Sequence, residues 1–113
     1  MSSQRRHQFL EVAASGDATV VKFTDKILDE ANIGAIGGEL SRLVEELGDC
    51  RLHLDLANVR FLSSTWLGKF ITILKSLRAS GGRLTLYNTE AQIYEVFEVT
   101  RLTQLLDVRR APA

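Results

Sequence analysis

Proline and cysteine occur once each in the 113 residues, at Pro112 and Cys50, and the only methionine is Met1. A lone cysteine excludes an internal disulfide, and Cys50 has no His or Cys companion at metal-ligand spacing. It reads as a small, half-buried residue where a strand starts. Net charge is also lacking, since 14 basic side chains oppose 14 acidic ones. That balance removes the electrostatic footprint of a general nucleic-acid binder. No apolar run approaches the roughly 20 residues that a bilayer-spanning helix needs. Nor does an apolar stretch follow Met1-Ser2-Ser3-Gln4-Arg5-Arg6, as it would in a secretory leader. A cytoplasmic protein with no membrane span is the expectation.

Catalytic equipment is equally sparse. Gly34-Ala35-Ile36-Gly37-Gly38 lies inside a helical pattern and lacks the Lys-Ser/Thr that completes a phosphate loop. His7 and His53 are far apart and have no partners at zinc-ligand spacing. Asp55, Glu90 and Glu95 show no acid/base pairing. Ser64 and His53 form a conceivable nucleophile and base, but His53 sits mid-strand on a polar face and Ser64 follows the strand's end. An esterase would need turnover that disappears in Ser64→Ala. The sequence therefore predicts no enzyme, no catalytic residue, no metal and no cofactor.

What is present is ordinary globular composition, 45% apolar and 25% charged, enough for one domain. Residues 1–7 are expected to be loose, 8–108 to form the domain, and 109–113 to fray as a basic tail. Phe9 to Ala14 and Ala18 to Phe23 flank the turn signal Ser15-Gly16-Asp17, which predicts a hairpin. Thr24 to Asn32 reads as a polar loop. Helix spacing runs from Ile33 to Leu47, weakened at its start by Gly34, Gly37 and Gly38. Arg51 to Leu56 and Arg83 to Tyr87 alternate, with leucines on one side and Arg51, His53, Asp55, Arg83, Thr85 and Tyr87 on the other. Such alternation belongs to a sheet covered on one face only. Asn88 or Thr89 is the expected cap of a third helix carrying Ile93, Val96 and Phe97. A helical turn over 102–106 and a last strand near 106–108 follow. The fold class is α/β: a mixed sheet of four to five strands, helices on one face, and a right-handed β-α-β crossover.

The chain is organised around Asn58 to Lys69. Ser63, Ser64 and Thr65 fall where a strongly apolar helix to about Ala79 begins. One hydroxyl there is an ordinary helix cap, accepting from a first-turn N–H. The alternative is a phosphorylation switch, because free N–H donors and the positive helix end accommodate a phosphate. Trp66, Leu67, Phe70, Ile71, Ile73, Leu74 and Leu77 span about 160° of the helix, with Trp66 and Ile73 at the margin of the stripe.

The element order and the run Leu54-Asp55-Leu56-Ala57-Asn58-Val59-Arg60-Phe61-Leu62-Ser63-Ser64-Thr65-Trp66-Leu67-Gly68 resemble the STAS domain family, whose bacterial members include anti-sigma factor antagonists. Leu28-Asp29, Gly81-Gly82-Arg83-Leu84, and Val96-Phe97 through Leu102 extend the resemblance over roughly residues 8–108. It implies Ser64 as the phosphorylation site, with Ser63 and Thr65 as lesser candidates. It also implies partner contacts at Asp29, Leu62, Ser63, Ser64, Thr65, Trp66 and Lys69. Ser63 stands where the family has Asp, and Trp66 where it has a small residue; Trp66 either obstructs a kinase or anchors a partner.

The implied function is partner switching in transcription control. The partner would be an anti-sigma factor that is also a serine kinase of the histidine-kinase-like ATPase fold, using ATP and Mg²⁺, with a serine phosphatase reversing it. The alternative is an unphosphorylated STAS scaffold in a signalling or transporter assembly, self-associating through its polar sheet face.

Overall fold

The computed structural model describes residues 9–112; the loose segment expected over residues 1–7 lies outside them. Strands β1 (Leu10–Ser15) and β2 (Ala18–Phe23) form the expected antiparallel hairpin, with Gly16 at φ +64° in the turn. β3 (Ile27–Leu28) follows, then a π-helical turn, Ile33–Gly37, that leads directly into α1 (Gly38–Leu47). After β4 (Arg51–Asp55) come β5 (Phe61–Leu62), α2 (Ser64–Ala79) and β6 (Arg83–Thr89). α3 (Ala91–Val99), a 3₁₀ turn at Leu102–Gln104, and β7 (Asp107–Arg110) complete the chain.

Five strands make one mixed sheet in the order β1-β2-β4-β6-β7; all neighbours after the first pair are parallel. Leu52, Leu54, Leu84 and Leu86 are buried with Phe70, Leu74 and Leu77 of α2 and Leu40, Leu43 and Val44 of α1. The opposite face is open, as the alternation predicts. There His53, Asp55, Thr85 and Tyr87 are half-buried, while Arg51 and Arg83 are exposed. His53 and Tyr87 sit ring to ring at 4.7 Å, and Arg109 lies over Tyr87 at 5.4 Å.

Four local expectations need correction. The segment 24–32 is not simply a loop, because Ile27–Leu28 pairs in parallel with Phe61–Leu62; two-residue strands are too short to show a period. The first helix does not open as an α-helix. Its glycine-rich start winds as a π turn, and buried Gly37 leaves the space where a Cβ would meet Lys69 Cε at 3.2 Å. Neither Asn88 nor Thr89 caps α3. Both belong to β6, where the bulge facing β7 carries Asn88 to φ +57° and its amide donates to Asp55 Oδ1 at 3.1 Å. Glu90 takes the N-cap position without a side-chain bond. Finally, β7 runs to Arg110, paired with Thr89, so the strand extends into the segment read as tail. Arg110 stacks over Tyr94 at 5.1 Å.

Candidate functional site

The three hydroxyls divide their duties. Ser63, extended at φ −80° and ψ 163°, is the N-cap of α2, and its Oγ accepts from Trp66 N at 3.4 Å. This satisfies one donor that a helix start leaves unpaired. Its own backbone N donates to Leu28 O at 2.9 Å, continuing the β3–β5 pairing into the cap. Ser64 is the first residue of the helix and is exposed, and among the described residues none bonds its hydroxyl. Thr65 is also exposed. Exposed Glu30 is held below the ordinary carboxylate range, first by the Thr65 hydroxyl, then by its own backbone N–H, then by the Ser63 hydroxyl.

Trp66 fixes the turn that carries Glu30. Its indole Nε1 donates to Asp29 O at 3.0 Å and to Asn32 Oδ1 at 3.2 Å. The Asn32 amide reaches back to Ile27 O at 2.7 Å, and the Asp29 carboxylate accepts from Ala31 N at 3.0 Å. The ring itself is fully buried, edge-on to Phe23 at 5.8 Å and tilted against Phe70 at 5.8 Å. The sequence places Trp66 at the margin of the apolar stripe, either obstructing a kinase or anchoring a partner. That placement is corrected, because both the ring and its N–H are satisfied inside the protein. Leu62 is likewise buried. Lys69 is half-buried; its Nζ bonds Ser41 Oγ at 2.5 Å and its methylenes lie over Gly37.

The apolar rim beside Ser64 is instead built by Ile27 and Phe61. They are paired across β3 and β5, and each is 52% exposed. Neither they nor Glu30 and Asn32 were singled out from the sequence. The available signal was the parallel between Ile27-Leu28 and Phe61-Leu62, each a pair with its second member inside. Of the expected site residues, Asp29, Ser63, Ser64, Thr65 and Trp66 are brought together. Lys69 turns toward α1. Ser64 and His53 are not joined, since His53 faces the open side of the sheet and Ser64 opens a helix of the other layer.

A family model for the STAS domain matches residues 10–112. The chain belongs to the STAS domain family. An anti-sigma-B factor antagonist of Listeria monocytogenes is 33% identical over 58 residues, 51% of either chain. The chain thus spans about half the length of these curated relatives. An anti-sigma-factor antagonist (STAS) domain protein from Planctomyces limnophilus has the same fold, with a TM-score of 0.77 at 18% identity over 91% of each chain. The Bacillus cell fate determinant SpoIIAA, solved in the phosphorylated form, superposes with a TM-score of 0.65 at 17% identity over 88% of this chain and 89% of its own. In this STAS domain the carboxylate beside the hydroxyls does not come from the residue preceding Ser64. The acidic side chain that the Ser63 and Thr65 hydroxyls influence is Glu30, in the turn after β3. Among the described residues no helix is long and apolar enough to cross a membrane, and no group of three His, Cys, Asp or Glu could hold a metal ion.

Proposed function

We propose that this STAS domain is a partner-switching regulator. Unmodified, it binds an anti-sigma factor that is also a serine kinase of the histidine-kinase-like ATPase fold, and phosphorylation of Ser64 ends the binding. The observation that carries the reading is the placement of Ser64, an exposed and unbonded hydroxyl at the first residue of α2, on the same short pairing that exposes Ile27 and Phe61. The name anti-sigma-B factor antagonist borne by the Listeria relative, and the phosphorylated form of SpoIIAA, support the same reading.

Phosphate adds a charge of about −1.5 to −2. At a helix N-terminus it meets unpaired N–H groups and the positive dipole end, so the fold survives it. A partner covering Ile27 and Phe61 would have to desolvate that charge, and the complex weakens. The released anti-sigma factor recaptures its sigma factor, and a serine phosphatase resets the switch. This takes place in the cytoplasm.

The test is phosphopeptide mapping across residues 61–69 of protein isolated from growing and stressed native cells. Phosphate on Ser64 that varies with stress is the expected result. A well-covered peptide without phosphate under any condition overturns the switch. That result would favour the second reading, a constitutive scaffold, which the open sheet face supports. Arg51, His53, Arg83, Tyr87 and Arg109 of that face line a concavity of about 530 Å³ that extends to Arg78 of α2, suited to self-association or another fixed partner.

A further inference from the structure

We propose that the concavity lined by Arg51, Arg78 and Arg83 is a second interaction surface, which takes an extended acidic segment of a partner protein. The inference is independent of the switch reading. Ser64 opens α2 and Arg78 stands in its last turn, so the two sites lie about 20 Å apart along the helix.

The chain has no net charge, yet this concavity collects four arginines, Arg51, Arg78, Arg83 and Arg109, against one acid, Asp107. Asp107 is already engaged. It accepts from Arg109 Nε at 3.3 Å and Nη2 at 3.2 Å, and from Thr85 Oγ1 at 3.4 Å. Arg51 reaches only Asp17, at 4.0 Å, and a contact between two exposed side chains is worth little in water. Arg78 and Arg83 have no hydrogen-bond or ion-pair partner among the described residues.

The sheet register makes this arrangement costly. β4 and β6 run parallel with Arg51 directly beside Arg83, and matched side chains on neighbouring strands share a face about 5 Å apart. That is inside the Debye length of about 8 Å, so salt does not fully hide the repulsion. The helix dipole accounts for Arg78, a cation in the last turn of α2. It does not account for the pair. Carboxylates supplied from outside would relieve it, each accepting two parallel N–H bonds from a guanidinium fork.

The shape favours a peptide over a small anion. The arginines are spread over β4, β6, β7 and α2, and β4 to β7 is two strand spacings, about 10 Å. An extended segment repeats its side chains on one side every 6.7 Å or so, and so reaches successive arginines. Leu105, 41% exposed, also borders the concavity. It offers an apolar contact that a peptide side chain can use and a bare oxyanion cannot.

The test titrates the full chain with a synthetic acidic peptide, glutamates flanking a central leucine, at constant ionic strength, followed by NMR of the arginine side-chain N–H groups. Saturable binding that moves the Arg51, Arg78 and Arg83 signals is expected, with none for the glutamine counterpart. Arg83→Gln and Arg78→Gln should each weaken binding by about tenfold or more, as loss of a bidentate charge-assisted contact implies. Arg42→Gln, at an exposed position of α1, should leave it unchanged. No saturable binding, or an equal loss in Arg42→Gln, overturns the surface. Pyrophosphate binding more tightly than the peptide would make it a small-anion site, and the inference falls. It also falls if the chain dimerises and Arg83→Gln abolishes the dimer, since the occupant is then a second copy. A readout without ligand is the unfolding midpoint of Arg83→Gln in low salt, which should exceed that of wild type. A midpoint that is unchanged or lowered removes the like-charge conflict on which the surface rests.

Discussion

Replacing Trp66 by Ala would remove two hydrogen bonds to the 29–32 turn and a ring packed between Phe23 and Phe70. Cavity formation on that scale costs about 3–5 kcal/mol. Trp66→Phe retains most of the volume and loses only the N–H, so about 1–2 kcal/mol is expected. Urea unfolding should show both as lowered midpoints at unchanged slope. Thr89 poses the opposite case. It is fully buried and its Oγ1 has no hydrogen-bond partner among the described residues. Thr89→Val removes that desolvated hydroxyl and should raise stability by about 1 kcal/mol in the same assay. Glu30 predicts a pH dependence of defined sign. Its folded pKa is depressed, chiefly by the Thr65 hydroxyl, so the favoured charged form is complete above the ordinary carboxylate value and is lost as pH falls through the lower folded one. NMR shifts of Thr65 and Ser63 should follow the Glu30 titration over that acid window and stay flat at neutral pH.

At the scale of elements, the sheet depends on how closely the entries of β4 and β6 approach each other. A Cβ on Gly82 would stand 2.5 Å from Cys50 O and 3.2 Å from Cys50 N, both backbone atoms that cannot rotate away. Gly82→Ala should therefore part the entry of the two strands and cost about 1–3 kcal/mol by thermal or urea unfolding, although alanine is a milder residue than glycine in most strands. The pairing of β3 with β5 has a different role. It covers little core. Its two residues per strand seat Leu28 and Leu62 inside, expose Ile27 and Phe61, and set the turn from which Glu30 reaches α2. A π turn opens the first helix where three glycines weaken the α register, and Lys69 crosses over it to Ser41. The start of α2 thus rests on elements distant in sequence.

For the whole molecule, the switch reading separates binding from stability. Ser64→Asp places a negative charge at the first residue of α2, which the helix dipole favours by about 0.3–1 kcal/mol. Unfolding should therefore be unchanged or slightly harder, while capture of the cognate kinase falls; Ser64→Ala should fold equally well and resist release. Much of this architecture was legible in the residues. The alternating leucines of β4 and β6 set which side of the sheet is buried, the stripe of α2 named its packing face, and the hydroxyl run marked the helix start, because all three are local periodicities or caps. The corrected parts share one feature, which is dependence on a distant partner. Trp66 looks like a marginal aromatic until the 29–32 turn folds over it. Ile27 and Phe61 look unrelated until β3 pairs with β5 and exposes them side by side. Asn88 and Thr89 look like caps until β7 holds them in the sheet. By itself the sequence determined the periodicity of each element, the burial side of each strand and the place of the hydroxyl run, since those depend on neighbours one to four residues away. Only the tertiary structure decided which hydroxyl caps α2 and which is left exposed and unbonded, because that helix start is set by partners distant in sequence, Leu28 O accepting from Ser63 N and the 29–32 turn accepting from the Trp66 indole.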